Sequence, residues 1–579
     1  MIHSRSASDS SAWPLGFQFS QPFLVQLLLT VAVGLLVISP LFVLVKTSLT
    51  PPGKLPFEAF VLTFQNYADA FTPRDTPFLV LNTLAYALGS VTIALAIATA
   101  IAWLTERTDL PLKSAVRVMM FAWMAVPPLV MAFGWILLLN PGSGLVNLVL
   151  RALFNLSGSP FNVYSLGSMI FISGLGLVPT AFVMISGALR NMDPQLENAA
   201  LAAGAGRWTA LRRVTFPLIR PSLLSTALYF LMVMIQAFDI PLAIGLTARV
   251  PVLSTRIYLL STPEAALPRY GLSAAFGTVL LVFALALMWT YFAAVRQSER
   301  FRVVTGRGFR PRQWPLGRWK WLALAFLGAY FSLMLLPLLL LLWTSLLPFY
   351  QPPSVEALQA VSLNHYRDVL SQSLVRRALG NTLLLVFGSA TLVMFLASLI
   401  SWYSVRSKGR AAKWLDALAF TPMAVPHIVM AMALLLLYIR TPLYGTLGIL
   451  VLGHVTIYLA FGTRTMNGAL IQIHQELEGA ARVSGATWGT TLRRILLPLL
   501  WPHVMNGWLW VVAHSLRDLT VPLMLMTTGN VVLSSALWLM WEFPNIPGAA
   551  ALAMLMVFGL LVLVVPLQIH STRESLVHR

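Results

Sequence analysis

Twelve apolar stretches, each long enough to cross a lipid bilayer, follow one another along this chain. A spanning helix needs about 20 apolar residues, because the hydrocarbon core of a bilayer is about 30 Å thick. Only 10% of the 579 residues are charged, whereas a soluble domain carries about 25%. A soluble fold of this size would lack the polar surface to cover itself. The sequence therefore predicts an all-α, polytopic membrane protein with about twelve spans.

The apolar stretches fall into two groups of six. The predicted spans of the first group are residues 23–46, 78–103, 115–139, 165–189, 222–246 and 271–295. Those of the second group are residues 321–346, 378–403, 414–438, 447–464, 503–527 and 547–569. The grouping predicts an N-terminal tail (1–22), a first half (23–295), a basic linker (296–320) and a second half (321–579). No small-residue cleavage site follows the first stretch, so we expect a retained span rather than a signal peptide.

The two halves are repeats of one another in the same orientation. Asn82-Thr83 recurs as Asn381-Thr382, an offset of 299 residues, and the polar segment 196–221 recurs as 477–502, an offset of 281 residues. The difference of 18 residues (299 − 281) predicts an insertion between the third and fourth spans of the first half. Residues 145–156 lie there. They form an amphipathic stretch that is too short to span and suits the membrane surface.

Prolines are repeated as well. Met124-Ala-Val-Pro127 recurs 299 residues later as Met423-Ala-Val-Pro426, and Pro128 follows the first copy. Proline inside a helix removes a backbone hydrogen bond and clashes with the preceding turn. We therefore expect a kink in the third span of each half.

Lysine and arginine are concentrated on one side of the predicted spans. That side holds the linker and the loops after the second and fourth spans of each half, with Arg107, Arg190, Arg406 and Arg464 among them. Positively charged loops stay in the cytoplasm, so we expect both termini, the linker and both copies of the repeated segment to be cytoplasmic. This bias explains the formal charge of +20 better than nucleic-acid binding does.

The repeated segment has the pattern of a helix, a turn, a short helix and a new span. The first copy holds Glu197, Ala199, Ala200, Gly204 and Pro217, and the second holds Glu478, Ala480, Ala481, Gly485 and Pro498. Alanine favours helix, glycine permits a turn with positive φ, and proline is tolerated in the first turn of the next helix. Such an element on the membrane surface can press on a soluble partner.

This pattern resembles the signature EAA-x3-G-x9-I-x-L-P of the permease subunits of binding-protein-dependent ABC importers. The signature's Glu position is Asn198 in one copy and Gly479 in the other, each directly preceded by Glu. The resemblance implies a type I ABC importer fold, with two six-span halves fused in one inner-membrane chain. It implies that each segment carries a coupling helix that sits in a cleft of one of two copies of a cytoplasmic ATPase. That ATPase would bind ATP and Mg²⁺, and a periplasmic binding protein would deliver the solute.

A finer resemblance concerns the solute. Residues 254–259, 461–488 and 515–542 look like the corresponding segments of fused ferric-iron permeases. Fused permeases for thiamine, polyamines and aminoethylphosphonate look alike, so these solutes stay open beside iron.

Three charged residues fall within the fifth predicted spans. Asp239 lies in the first half, and Arg517 and Asp518 lie at a similar depth in the second. Each charge at the centre of a span costs about 2.5–3.5 kcal/mol on insertion scales, so such residues are functional candidates. They could form a polar patch along the translocation path, or Arg517 and Asp518 could make a structural interaction with each other.

No catalytic, cofactor-binding or metal-binding residue is predicted. The sequence G-x-x-x-x-G-K-[ST] is absent, so we expect ATP hydrolysis in a separate subunit and no enzyme activity in this chain. The chain has no cysteine for thiolate ligands. His427, His454 and His514 are far apart and expected to be isolated, packed or interfacial side chains. Two rival classes remain: a secondary transporter, which needs intramembrane carboxylates for ion coupling and no docking loop, and a membrane enzyme, which needs a clustered catalytic site.

Overall fold

The computed structural model describes residues 21–55, 57–58, 60–263, 267–299, 314–407, 409–543 and 545–577. Residues 1–20 of the predicted tail and 300–313 of the predicted linker lie outside this part of the chain. The described residues form helices and loops, and their one isolated β-bridge joins Thr108 to Trp314. The predicted all-α membrane fold is confirmed.

The helices of the first half are α1 (Gln21–Ser48), α2 (Gln65–Phe71), α3 (Thr76–Arg107), α4 (Lys113–Met124), α5 (Pro128–Leu139), α6 (Leu145–Phe154), α7 (Leu166–Asn191), α8 (Pro194–Ala202), α9 (Arg207–Ala210), α10 (Phe216–Ile235), α11 (Leu253–Ser261) and α12 (Tyr270–Glu299). Those of the second half are α13 (Trp319–Ser345), α14 (Val355–Gln359), α15 (Asn364–Ser371), α16 (Ser373–Arg406), α17 (Arg410–Phe420), α18 (His427–Tyr438), α19 (Leu447–Gln472), α20 (Glu476–Val483), α21 (Trp488–Thr491), α22 (Leu497–Arg517), α23 (Thr520–Met524), α24 (Leu533–Glu542) and α25 (Ile546–Val577).

The third span of each half is broken rather than kinked. Among the described residues, ten helices are long and apolar enough to cross a bilayer, and two further pairs, α4 with α5 and α17 with α18, bend by 98° and 107°. The predicted spans 115–139 and 414–438 therefore each consist of two helices that meet at a sharp bend. Pro127 and Pro426 have extended backbones directly before α5 and α18. Proline has no N–H with which to continue the helix, so it accounts for both breaks.

The fifth span of each half begins and ends earlier than predicted. One continuous helical segment runs from Trp208 to Ile235 in the first half and from Gly489 to Arg517 in the second. The expected division into a short helix and a separate span is wrong, because a π-helical turn (211–215 and 492–496) leads directly into the helix that carries Pro217 or Pro498. The shifted hydrogen bonds of a π turn leave room for a residue without an N–H.

The two halves interlock through their broken spans. The first span of the first half, α1, packs against α17 and α18, and the first span of the second half, α13, packs against α5. A side chain at Gly134 of α5 would place its Cβ 2.6 Å from the carbonyl oxygen of Pro337 in α13. Only glycine permits so close an approach of two backbones. Many of the contacts between the halves therefore run through the broken third spans.

The predicted insertion forms a helix of its own. α6 occupies most of the amphipathic stretch at 145–156, between α5 and α7, and its apolar residues Leu153 and Phe154 are exposed. Arg151 donates a 2.8 Å hydrogen bond to the carbonyl oxygen of Gly142, which ties the helix to the preceding loop. The second half has only residues 439–446 between α18 and α19.

Candidate functional site

Two repeated helix-turn-helix segments form the first candidate site. In one, α8 ends in a turn at Gly204 with φ of +86°, and in the other α20 ends in a turn at Gly485 with φ of +79°. An L-amino acid with a side chain rarely adopts this conformation, so glycine is needed at both turns. Each turn leads into the helical segment that becomes the fifth span.

Both segments present apolar side chains to the surroundings. Trp208, four residues after Gly204, is 72% exposed, and Val483, two residues before Gly485, is 91% exposed. Ala199, Ala480, Pro217 and Pro498 are also exposed, whereas Ala481 is buried. An exposed tryptophan on a membrane-flanking segment suits a surface that a partner covers or the membrane–water interface.

The motif glutamates face into the chain instead. Arg107, the last residue of α3, places Nη1 3.5 Å from Oε2 of Glu197, and both side chains are almost fully buried. The Thr215 hydroxyl donates a 2.6 Å hydrogen bond to the other carboxylate oxygen. Arg107 also donates to the carbonyl oxygen of Leu189 at 2.9 Å. This carboxylate therefore holds the first helix-turn-helix segment against the second span.

The second half repeats this arrangement. Arg406, the last residue of α16, donates from Nε to Oε1 of Glu478 at 2.7 Å and from Nη2 to the carbonyl oxygen of Ile473 at 3.0 Å. From the sequence, these two arginines were identified only as loop charges, although their spacing carries a further signal. Arg107 and Arg406 are 299 residues apart, the offset of the repeated Asn-Thr pair on the same helices.

The first half carries one additional set of ion pairs. Glu106 accepts hydrogen bonds from Arg117 at 2.9 Å and from Arg190 at 3.0 Å, and its side chain is 5% exposed. The equivalent residue in the second half, 299 positions later, is Val405. At this point the first half has two carboxylates, Glu106 and Glu197. The second half has Glu478, which pairs with Arg406.

The second candidate site is a partly buried polar cluster where the fifth spans end. The sequence predicted that Asp239 and Asp518 lie inside spanning helices. In the structure they lie just after α10 and α22. Ser254 donates a 2.7 Å hydrogen bond to the carbonyl oxygen of Ala237, and Ser534 donates an equal bond to that of Asp518. These matching bonds make Ala237, two residues before Asp239, the counterpart of Asp518.

By the same register, Gln236 is the counterpart of Arg517, and both reach the broken third span of the other half. The Gln236 side-chain oxygen accepts a 2.9 Å hydrogen bond from the backbone N–H of His427. Arg517 donates a 2.6 Å hydrogen bond to the carbonyl oxygen of Met124. The counterpart of His427 in the first half is Pro128, which has no N–H to donate. The group contacted there is instead the carbonyl oxygen of Met124. A carbonyl oxygen needs a donor, which Arg517 provides.

The Asp518 carboxylate makes its hydrogen bonds with groups other than the neighbouring Arg517. It lies 3.1 Å from Nε2 of His454 and accepts a 3.2 Å hydrogen bond from the N–H of Thr520. Asp239 is near enough to Arg517 and Asp518 for their charges to interact. A cation and two carboxylates from both halves therefore share one partly buried region.

The three histidines are not isolated, contrary to expectation. The ring centroids of His454, His427 and His514 lie 5.5, 6.2 and 6.5 Å from that of Tyr458. His514 also stacks on Trp510 at 3.6 Å. In the part of the chain that the structure describes, no three His, Asp or Glu side chains are placed to hold a metal ion.

Comparisons with known proteins identify relatives of both halves. The chain matches the family model for a binding-protein-dependent transport system inner membrane component over residues 90–299 and 394–569. It is 27% identical over 419 residues to a putative ferric transport system permease protein of Haemophilus influenzae, covering 70% of this chain and 63% of that protein. It is 25% identical over 418 residues to a ferric transport system permease protein of Actinobacillus pleuropneumoniae, covering 70% of this chain and 58% of that protein.

A third relative matches a smaller part of this chain. A spermidine/putrescine transport system permease protein of Haemophilus influenzae is 28% identical over 253 residues, which cover 43% of this chain and 96% of that protein. The match to the two ferric proteins spans 63% and 58% of their own lengths.

Proposed function

This chain belongs to the family of binding-protein-dependent transport system inner membrane components, and from that membership we propose that it is the fused, two-half permease of an ABC importer. The proposal rests above all on the two helix-turn-helix segments, each with a positive-φ glycine and exposed apolar residues. Each segment would dock as a coupling helix on one copy of a cytoplasmic ATPase. ATP and Mg²⁺ would bind to that ATPase, and both termini and both segments would face the cytoplasm.

The proposed mechanism is alternating access. A periplasmic binding protein delivers the solute to the outer face, and ATP binding draws the two ATPase subunits together. Both coupling helices then move, and the halves separate at the contacts that Gln236 and Arg517 make across them. ATP can shift this equilibrium because it binds one arrangement of the ATPase pair more tightly than the other. Hydrolysis and release reset the halves.

We further propose that Asp239, Arg517 and Asp518 line the route between the halves. Their partial burial near helix ends supports this, since charges kept inside a membrane protein generally serve a pathway or a partner. The side chain of Asp518 is 9% exposed and that of its partner His454 is 0% exposed. Opening the contacts between the halves would make these groups accessible to a passing polar solute.

Ferric iron is the proposed solute. Two ferric permeases match over 70% of this chain, and the polyamine permease, which is matched over 96% of its own length, corresponds to 43% of it. We expect proteoliposomes that contain the complete importer to take up ferric iron in an ATP-dependent manner, with spermidine tested in parallel. Uptake of spermidine but not iron would assign the chain to polyamine transport. Uptake driven by an ion gradient without ATP would instead favour a secondary transporter.

Subunit stoichiometry tests the importer itself. Because both coupling segments lie on one chain, we expect one copy of this protein to bind two copies of an ATPase. The segments are similar enough for one kind of ATPase to dock on both. Native mass spectrometry of the purified complex measures the ratio directly. A complex with one ATPase per permease, or a permease that purifies with none, would contradict the proposal.

A further inference from the structure

The second span of each half is attached to neighbouring elements at both ends. Its cytoplasmic end carries Arg107 or Arg406, which holds the motif glutamate of the coupling segment. The helix that ends at this arginine is long: α3 has 32 residues and α16 has 34. At about 1.5 Å per residue each is about 50 Å long, enough to reach from the coupling segment across the bilayer.

The opposite end of this helix holds the segment that follows the fifth span. In the first half, the Thr83 hydroxyl oxygen accepts a 3.0 Å hydrogen bond from the N–H of Leu253, the first residue of α11. In the second half, the Thr382 hydroxyl oxygen accepts a 2.8 Å bond from the N–H of Leu533, the first residue of α24. Each threonine thus satisfies one of the N–H groups that a helix leaves free at its start.

The asparagine beside each threonine adds a second bond. Asn82 donates to the carbonyl oxygen of Pro251 at 3.3 Å, and Asn381 donates to that of Val531 at 2.9 Å. In both halves, the repeated Asn-Thr pair therefore fixes the start of the short helix that follows the fifth span.

The short helix in turn holds the end of the fifth span. Its second residue, Ser254 or Ser534, donates a hydrogen bond to the backbone carbonyl oxygen of Ala237 or Asp518. These two carbonyls belong to the break that also carries the cross-half contacts of Gln236 and Arg517. A continuous series of contacts therefore joins each coupling segment to the polar cluster.

Building on the proposed importer function, we propose that the second span of each half is a strut that transmits movement of the coupling helix to the break in the fifth span. Arg406 and Thr382, with Arg107 and Thr83 in the first half, are its positioning residues. All four are buried or nearly so: Thr83 is 2% and Thr382 3% exposed, and the Arg107 and Arg406 side chains are 1% and 11% exposed. Water cannot easily replace such contacts, so a displacement at one end is carried to the other.

The second half offers the cleaner test. In the first half, Glu106 adds ion pairs with Arg117 and Arg190 beside Arg107, whereas the second half has Val405 at that position. Thr382→Val keeps the shape of the side chain and removes the acceptor of the Leu533 N–H. Arg406→Gln removes the charge that holds Glu478. The two positions are 24 residues apart on one helix, or about 36 Å, so without a strut their effects should be additive. Ser398→Ala is the matched control, since that hydroxyl donates to Met394 within α16.

The experiment is a double-mutant cycle on the complete importer in proteoliposomes, with solute transported per ATP hydrolysed as the readout. Each single variant should assemble with the ATPase and lower this ratio by about two- to thirtyfold, the range seen for positions that carry coupling. The double variant should be little worse than the worse single variant, since a strut released at one end transmits nothing. Thr382→Ser should restore the ratio, and Ser398→Ala should leave it unchanged.

Two outcomes overturn the strut. Fully additive losses would mean that the two ends act independently. A loss of folded complex with an unchanged ratio in the remainder would mean that the contacts only stabilise the fold. In both cases the wild type transports solute with ATP, so the proposed function stands. A wild type that neither binds an ATPase nor transports with ATP would overturn the proposed function and the strut together.

Discussion

Replacing Gly485 with proline is expected to abolish solute uptake while the protein still inserts into the membrane. Gly485 has φ of +79°, and the proline ring holds φ near −65°. The turn between α20 and the fifth span cannot form with that angle, so the coupling segment loses its shape. The spans themselves are untouched. Gly204→Pro should act in the same way in the first half, where φ is +86°.

A graded series at these positions separates the backbone effect from crowding. A Cβ at Gly485 would meet nothing within 4 Å. The cost of Gly485→Ala is therefore only that of holding alanine at positive φ, about 1–2 kcal/mol. We expect this variant to lose part of its uptake. Gly485→Asn should retain more uptake than Ala, because asparagine tolerates positive φ. Gly489→Ala is the control, since that site is equally open and needs no positive φ. Uptake near wild type in well-expressed Gly485→Pro would refute the coupling role.

The double substitution Asp239→Ala with Asp518→Ala is expected to reduce uptake about tenfold or more, equivalent to about 1.4 kcal/mol, while the ATPase still assembles. It leaves Arg517 without the two carboxylates whose charges act on it. It also removes the acceptor for His454 and for the N–H of Thr520. Asp518→Asn is the matched control, because it keeps an acceptor oxygen and loses the charge.

Cysteine substitution shows whether these positions lie on the route. The chain has no native cysteine, so Asp239→Cys and Asp518→Cys each introduce a single thiol. Reactivity with a water-soluble thiol reagent should change when ATP and the binding protein are added, since the cluster lies where the two halves meet. Thiols that are unreactive in every state would identify Asp239 and Asp518 as buried structural charges and place the route elsewhere.

Local features of the sequence predicted much of this fold. Apolar stretches of about 20 residues specify spans because the bilayer thickness sets the length of helix that can be buried. Gly204 and Gly485 specify turns, and Pro127 and Pro426 specify breaks, because each restricts its own backbone. The bends of 98° and 107° at those breaks were not predictable. Proline ends a helix, but the direction of the next helix depends on what it packs against.

The sequence by itself determined the membrane class, the two repeated halves and the family signature, all of which depend on composition or on fixed spacing. Only the tertiary structure decided which polar groups meet. Arg107 meets Glu197 across 90 residues and Arg517 meets Met124 across 393. The three histidines gather around one tyrosine in the same way. A buried charge or a free backbone group must find a partner, but which partner it finds is fixed only when distant helices pack together.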